Sequence, residues 1–181
     1  NRVNLLNEIA WELKFDDPKT AIAHLDSALV LSKKLNFKKG EGNALNYRGV
    51  VADIHGEPDV AIDFFQKSKA IREQLGDRTG VAKLLNNIAN VKENKGDYLG
   101  ALADYKQSQQ LRQALGDSAR AVNAYYNIAN VHEKMGDYPE ALENIFLYLE
   151  GADPEADAEN VANAWNILGN IRTETDRFDE A

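Results

Sequence analysis

VAKLLNNIANVKENKGDYLGALADYKQSQQLRQALGD, residues 81–117, is the stretch on which the fold turns. Leu85, Ile88, Ala89 and Val91 recur at helical spacing on one face of a helix from about Val81 to Lys95. Gly96-Asp97 closes it, glycine suiting the left-handed last residue and aspartate the cap of the next helix. A second helix from about Tyr98 to Leu115 turns Ala101, Leu102, Tyr105, Ser108, Leu111 and Leu115 inward, and Gly116-Asp117 repeats the stop-and-cap signal. The stretch reads as a helical hairpin.

The hairpin is one copy among several. Ala21, Ala61, Ala101, Ala141 and Ala181 lie forty residues apart, each shortly after a turn signal: Asp16-Asp17-Pro18, Gly56-Glu57-Pro58, Gly96-Asp97-Tyr98, Gly136-Asp137-Tyr138 and Asp176-Arg177-Phe178. A fixed period of this length marks stacked supersecondary units. Units fall near 1–40, 41–80, 81–120 and 121–160, with a partial fifth at 161–181, a single array over the whole chain. Pro18, Pro58, Pro139 and Pro154 stand where helices should begin, where a missing N–H is harmless. Small residues mark expected close crossings: Gly49, Ala89, Ala129 and Gly169 in first helices, Ala28, Ser68 and Ser108 in second helices. No strand pattern competes, so the reading is an all-α solenoid of antiparallel helix pairs.

Two units are irregular. Asn7-Glu8-Ile9-Ala10 carries one residue more than Asn87-Ile88-Ala89, which requires the first helix to rotate or bulge. In the fourth unit Tyr148 replaces a small residue and Gly151-Ala152-Asp153-Pro154 ends the second helix early, with Asp153 expected to cap a long helix running through Trp165. The array is expected to change path at 148–160.

Composition narrows the function. With 181 residues, 44% of them hydrophobic, the chain can bury a core, and its net charge of -8 disfavours nucleic acid, which needs a concentrated basic footprint. The absence of cysteine excludes thiol chemistry, disulfides and cysteine-ligated metals and permits both cytoplasm, the favoured expectation, and periplasm without deciding between them. No apolar run reaches the roughly 18 residues of a membrane span. The chain begins at Asn1 without a Met and stops early in a repeat, as a piece of a longer polypeptide would. His24, His55 and His132 never pair at i, i+4, Gly40-Glu41-Gly42 follows a helix instead of a strand, and no nucleophile has a base beside it. No enzymatic site, cofactor or metal is expected.

The columns resemble the tetratricopeptide repeat over the whole chain. Its large apolar column is met by Leu45, Leu85, Tyr125 and Trp165, and its Leu-Gly pair by Ile88-Ala89, Ile128-Ala129 and Leu168-Gly169. Ala61 with Phe65, Ala101 with Tyr105 and, approximately, Ala21 with Leu25 meet the columns of the second helix. The resemblance implies a right-handed superhelix with first helices lining its concave side. The period of forty exceeds the family's roughly 34 residues, and Leu75-Gly76-Asp77 and Leu115-Gly116-Asp117 replace the closing proline. This longer form is similar to the repeats of spindle-orientation adaptors and kinesin light chains. It also resembles sensor regions of bacterial histidine kinases, cyclases and transcription regulators. A usual aromatic of the first helix gives way to Ala52, Lys92, His132 and Arg172, making those junctions more polar.

Opposite the inward face of each first helix runs an amide-rich stripe. It holds Asn43, Asn46 and Tyr47 in the second unit, Lys83, Asn86, Asn87 and Asn90 in the third, Asn123, Tyr126, Asn127 and Asn130 in the fourth, and Asn163, Asn166 and Asn170 in the fifth. Asparagine is a poor helix former, at about 0.6 kcal/mol per position relative to Ala. A carboxamide both donates and accepts, as pairing with an extended peptide backbone requires. The stripe therefore reads as a peptide-binding groove, or as a ladder of amides that stiffens the array. In the family, asparagines placed like Asn87, Asn90, Asn127 and Asn130 contact bound peptides. Asp53, Glu93, Glu133 and Glu174 edge the same wall and favour a neutral or basic partner, and Lys83 alone does not make a carboxylate clamp. Two functions follow: a protein-interaction module, or the sensing portion of a larger bacterial signalling protein. Self-association through Trp165, Leu168, Ile171 and Phe178 of the incomplete last unit is a further expectation.

Overall fold

The computed structural model describes residues 1–179, with side chains through 175, and all its regular elements are α-helical. They are α1 (Arg2–Leu13), α2 (Pro18–Lys34), α3 (Lys38–Ile54), α4 (Pro58–Gln74), α5 (Arg78–Asn94), α6 (Tyr98–Ala114), α7 (Ser118–Met135), α8 (Tyr138–Gly151) and α9 (Ala158–Asp179). Helices α2 to α6 are each 17 residues long. The chain forms two compact units, Asn1–Asp97 and Tyr98–Ala181.

The regular length has a local cause. Gly56, Gly76, Gly96, Gly116 and Gly136 all take φ between 68° and 81°, and Asn36 with φ 50° fills the corresponding place after α2. Each lets the chain leave a helix through the left-handed region that other residues enter at a cost. Asp17 accepts from Thr20 N at 3.1 Å and Asp77 from Gly80 N at 2.9 Å, satisfying open amides of α2 and α5.

In the first unit α1, α3 and α5 follow one another in one layer, and α2 and α4 pack against them from the other. Val3, Ala10, Ala21, Leu25, Ala28, Ala44 and Val51 form one core cluster, and Ala52, Ala61, Phe65, Leu84, Ile88 and Val91 another. Full burial of a side chain such as Leu25 or Phe65 contributes about 1.5–3 kcal/mol. The small residues act where backbones come close. Ser68 donates from Oγ to Gly42 O at 2.7 Å, and a Cβ on Gly49 would lie 2.6 Å from the Phe65 ring. The irregular α1 does not bulge. It stays α-helical and rotates, so that Val3, Asn7 and Ala10 face inward.

In the second unit α6, α7, α8 and α9 pack in sequence around Ala129, Ala141, Ile145, Tyr148, Ala164, Ile167 and Ile171. The second helix ends early at Gly151, as expected, but four expectations need correction: those for Asp153-Pro154, for 176–178, for Gly169 and for Trp165. Asp153 accepts from Glu155 N and Ala156 N and shapes a turn, so Pro154 precedes α9 instead of opening it. The fully buried Tyr148 ring fills space that Ala28, Ser68 and Ser108 leave at the same register, and α8 is shortened to 14 residues. At 176–178 there is no turn: without Gly or Pro to break it, α9 continues to Asp179. Gly169 marks no close crossing, since a Cβ there meets nothing within 4 Å. Trp165 is 61% exposed, whereas Leu45 and Leu85 of the same column are buried. Phe178 and Ala181 lie outside the residues whose side chains are described.

Candidate functional site

The amide stripe falls on two consecutive first helices of the first unit. Leu84, Leu85, Ile88 and Ala89 are buried, which turns Lys83, Asn86, Asn87 and Asn90 of α5 away from the core. On α3 Asn43, Asn46 and Tyr47 take the matching places. The two rows meet directly: Asn87 Nδ2 donates to Asn46 Oδ1 at 3.4 Å, and Asn46 is only 5% exposed. Asn43 Oδ1 accepts from Arg72 Nη2 at 2.8 Å, and Arg72 also pairs with Asp77, the cap of α5. Asn43, Asn46 and Asn87 thus hold the scaffold together. Asn90 and Lys83 are exposed and Asn86 is half-buried, with Asn86 and Asn90 also engaged within the protein.

The sequence reading missed the aromatic end of this surface. Trp11 of α1 lies 5.0 Å, ring centroid to centroid, from Tyr47, and Lys14 Nζ stands 4.1 Å from the Trp11 ring and 4.8 Å from that of Phe15. The rotation of α1 hid Trp11, because the forty-residue register fails there. Asp53, on the acidic edge, has its carboxyl pushed up by burial. Glu93 is 9% exposed.

In the second unit the stripe runs along α7 and α9. Tyr126 lies 5.5 Å from Tyr148, and Asn170 Nδ2 donates to Glu133 Oε1 at 3.3 Å. Asn123 is half-buried and its Oδ1 has no hydrogen-bond partner. Asn127, Asn130 and Asn163 are half-buried and Asn166 is exposed. The polar junction residue His132 is buried and its Nδ1 lies 3.0 Å from Asp137 Oδ2. Asp117, expected to cap α7, makes no side-chain capping bond there, and Asp137 makes none to α8. Among the described residues no group of three His, Asp or Glu is placed to hold a metal, and no helix is long and apolar enough to cross a membrane.

Residues 80–145 match the tetratricopeptide repeat family. No curated protein matches the chain. Solved structures share the fold at low identity. Aspartyl phosphate phosphatase F from Bacillus subtilis is 14% identical, with a TM-score of 0.84 over 92% of this chain and 45% of its own. The Rap conjugation gene regulator of the plasmid pLS20, solved with the Phr* peptide, is 20% identical, with a TM-score of 0.74 over 90% of this chain and 45% of its own. A putative kinesin light chain of Podosopora anserina with nearly identical TPR-like repeats is 13% identical, with a TM-score of 0.74 over 99% of this chain and 92% of its own. The chain spans a little under half the length of the phosphatase and of the pLS20 regulator.

Proposed function

We propose that the chain, which matches the tetratricopeptide repeat family over residues 80–145, is a non-catalytic interaction module. Its ligand is a peptide or partner segment held against the amide-bearing face of the first helices. The observation that carries this reading is the bonding of Asn46 to Asn87. It ties α3 to α5 with their stripes in register, and leaves Asn86 and Asn90 beside it on the outward face of α5. Such a row can meet successive peptide groups of an extended strand. Asn43, Asn46 and Asn87 position the wall, and Asn86, Asn90 and Lys83 contact the ligand. In the second unit Asn127, Asn130 and Asn166 take the contacting role. The acidic edge of this wall, Asp53 on α3 and Glu93 on α5, favours a neutral or basic segment. Support also comes from the pLS20 regulator, a fold relative solved with a peptide.

The test is selection of a peptide from a library of extended segments, followed by calorimetric titration. Losing two hydrogen bonds of about 1 kcal/mol each to the ligand in N86A/N90A weakens binding by about 10- to 30-fold, with helicity unchanged. Equal affinity of the variant and the parent removes α5 from the binding face.

A second reading places the array in a larger bacterial signalling protein as its sensing portion. It is favoured by the coverage of the phosphatase and the pLS20 regulator, of each of which the chain spans less than half. The full reading frame decides it: an effector domain in the same polypeptide supports the sensor role, and its absence refutes it.

A further inference from the structure

A second site, independent of the amide face, lies between the start of α2 and the end of α3. A cavity of about 180 Å³ is lined by Pro18, Lys19, Ile22, Arg48, Val51, Ala52, His55 and Glu57. That exceeds the roughly 10–15 Å³ of such space that one water needs, and leaves room for a small organic molecule. Its floor is apolar, from Pro18, Ile22, Val51 and Ala52, and its rim carries charge of both signs.

The rim charges are not spent on each other. Lys19 and Glu57 line the same cavity, yet neither makes an ion pair among the described residues. Glu57 is the N-cap residue of α4 but makes no capping bond with its side chain, so its carboxylate is not committed to the helix. His55 is fixed through Nε2, 3.1 Å from Lys14 O, and Arg48 Nε lies 3.2 Å from Asp26 Oδ1. Asp17 stands near Lys19 but is engaged in capping α2. The next junction provides an internal comparison. Forty residues on, Asp59 and Lys95 replace Lys19 and His55 and form a direct ion pair. At the first junction both of those places are basic, no bridge forms, and the cavity stays open between opposite charges.

The geometry points to a binding site for a small zwitterion, an α-amino acid with a short apolar side chain. Its carboxylate faces Lys19, with Arg48 and His55 beside it. Its ammonium faces Glu57, and its side chain rests on Ile22 and Val51. Because the charges lie at an exposed rim, binding is of millimolar strength.

The test is titration of the full chain with L-valine, followed through the methyl resonances of Ile22 and Val51. Isobutyrate and isobutylamine, which lack the ammonium and the carboxylate respectively, serve as comparison probes. A saturable shift with L-valine is expected, about tenfold weaker with either probe. K19M and E57Q, both at exposed positions, each weaken L-valine binding while the melting temperature and helicity hold. Isobutyrate binding as tightly as L-valine makes this an anion site only, and isobutylamine doing so makes it a cation site only. Either result, or the absence of a saturable shift with L-valine, overturns the proposal, as does full affinity in E57Q.

Discussion

Asn87 of α5 donates to Asn46 of α3 across 3.4 Å, and this amide-to-amide bond joins two repeats at side chains the sequence marks as a groove. The ladder and the groove are therefore not rivals at these two positions. One face can use some amides to fix its spacing and others to meet a ligand.

The bond has a stability consequence. In N46A the Asn87 amide loses its acceptor at a site where Asn46 is 5% exposed. The expected loss is about 1 kcal/mol, or about 2–4 °C in melting temperature. N46A/N87A should fall by less than the sum of the single variants, because the two share one interaction. Thermal unfolding of the four proteins measures this, and strict additivity would show that the bond contributes nothing.

Glycines at one repeat register should respond in opposite directions. A Cβ at Gly49 lies 2.6 Å from Phe65, an almost fully buried ring with no room to withdraw. G49A should cost about 1–3 kcal/mol through overpacking. At Gly169 nothing lies within 4 Å of the added carbon. G169A should stabilise α9 by about 0.5–1 kcal/mol, since alanine loses less backbone entropy than glycine in a helix. Urea unfolding distinguishes the two signs.

Two carboxylates give opposite pH signatures. Burial pushes the Asp77 carboxyl up, but the bond from Gly80 N and the Arg72 guanidinium outweigh it and hold the group below its ordinary 3.8. Its stabilisation is present above the unfolded value and is lost as pH falls through the lower folded one. D77N, which keeps an N-cap side chain, should flatten the decline in melting temperature below about pH 4. Asp53 is raised by burial, so ionising it opposes folding once pH rises above its unfolded value. D53N should melt higher than the parent at pH 7, and the gain should vanish at about pH 3, where both Asp53 states are protonated. A D53N gain that persists in acid would assign the effect to packing instead of charge.

The repeat itself was legible because its signals are local. Alanine columns, left-handed glycines and helix-starting prolines act within a turn of the residue that carries them. What escaped depends on neighbours distant in sequence. The acceptor for Asn87 lies 41 residues away, and the partner of Tyr47 lies on a helix that breaks the register. Column matching placed Trp165 with Leu45 and Leu85, but among the described residues no second helix follows α9 to cover it. Asp153 looked like a helix cap by composition, yet its two amide donors at 155 and 156 make a turn.

Tyr148 connects that local failure to a measurable strain. Its side chain is fully buried, its ring lies 5.5 Å from Tyr126, and its hydroxyl has no hydrogen-bond partner. Burial, with Asp157 and Tyr126 nearby, pushes its pKa up, as expected for a phenol kept neutral away from water. An unsatisfied buried hydroxyl costs about 1–3 kcal/mol, and phenylalanine keeps the ring while removing the group. Y148F should therefore be at least as stable as the parent, by up to about 2 kcal/mol. Y148S, which restores the small residue found at Ser68 and Ser108, should instead open a cavity beside Ile145 and lose about 3–5 kcal/mol. Denaturant unfolding of both variants checks the pair. A destabilised Y148F would mean that the hydroxyl has a partner, such as an ordered water, and that the fourth repeat uses tyrosine for its polar group as well as its bulk.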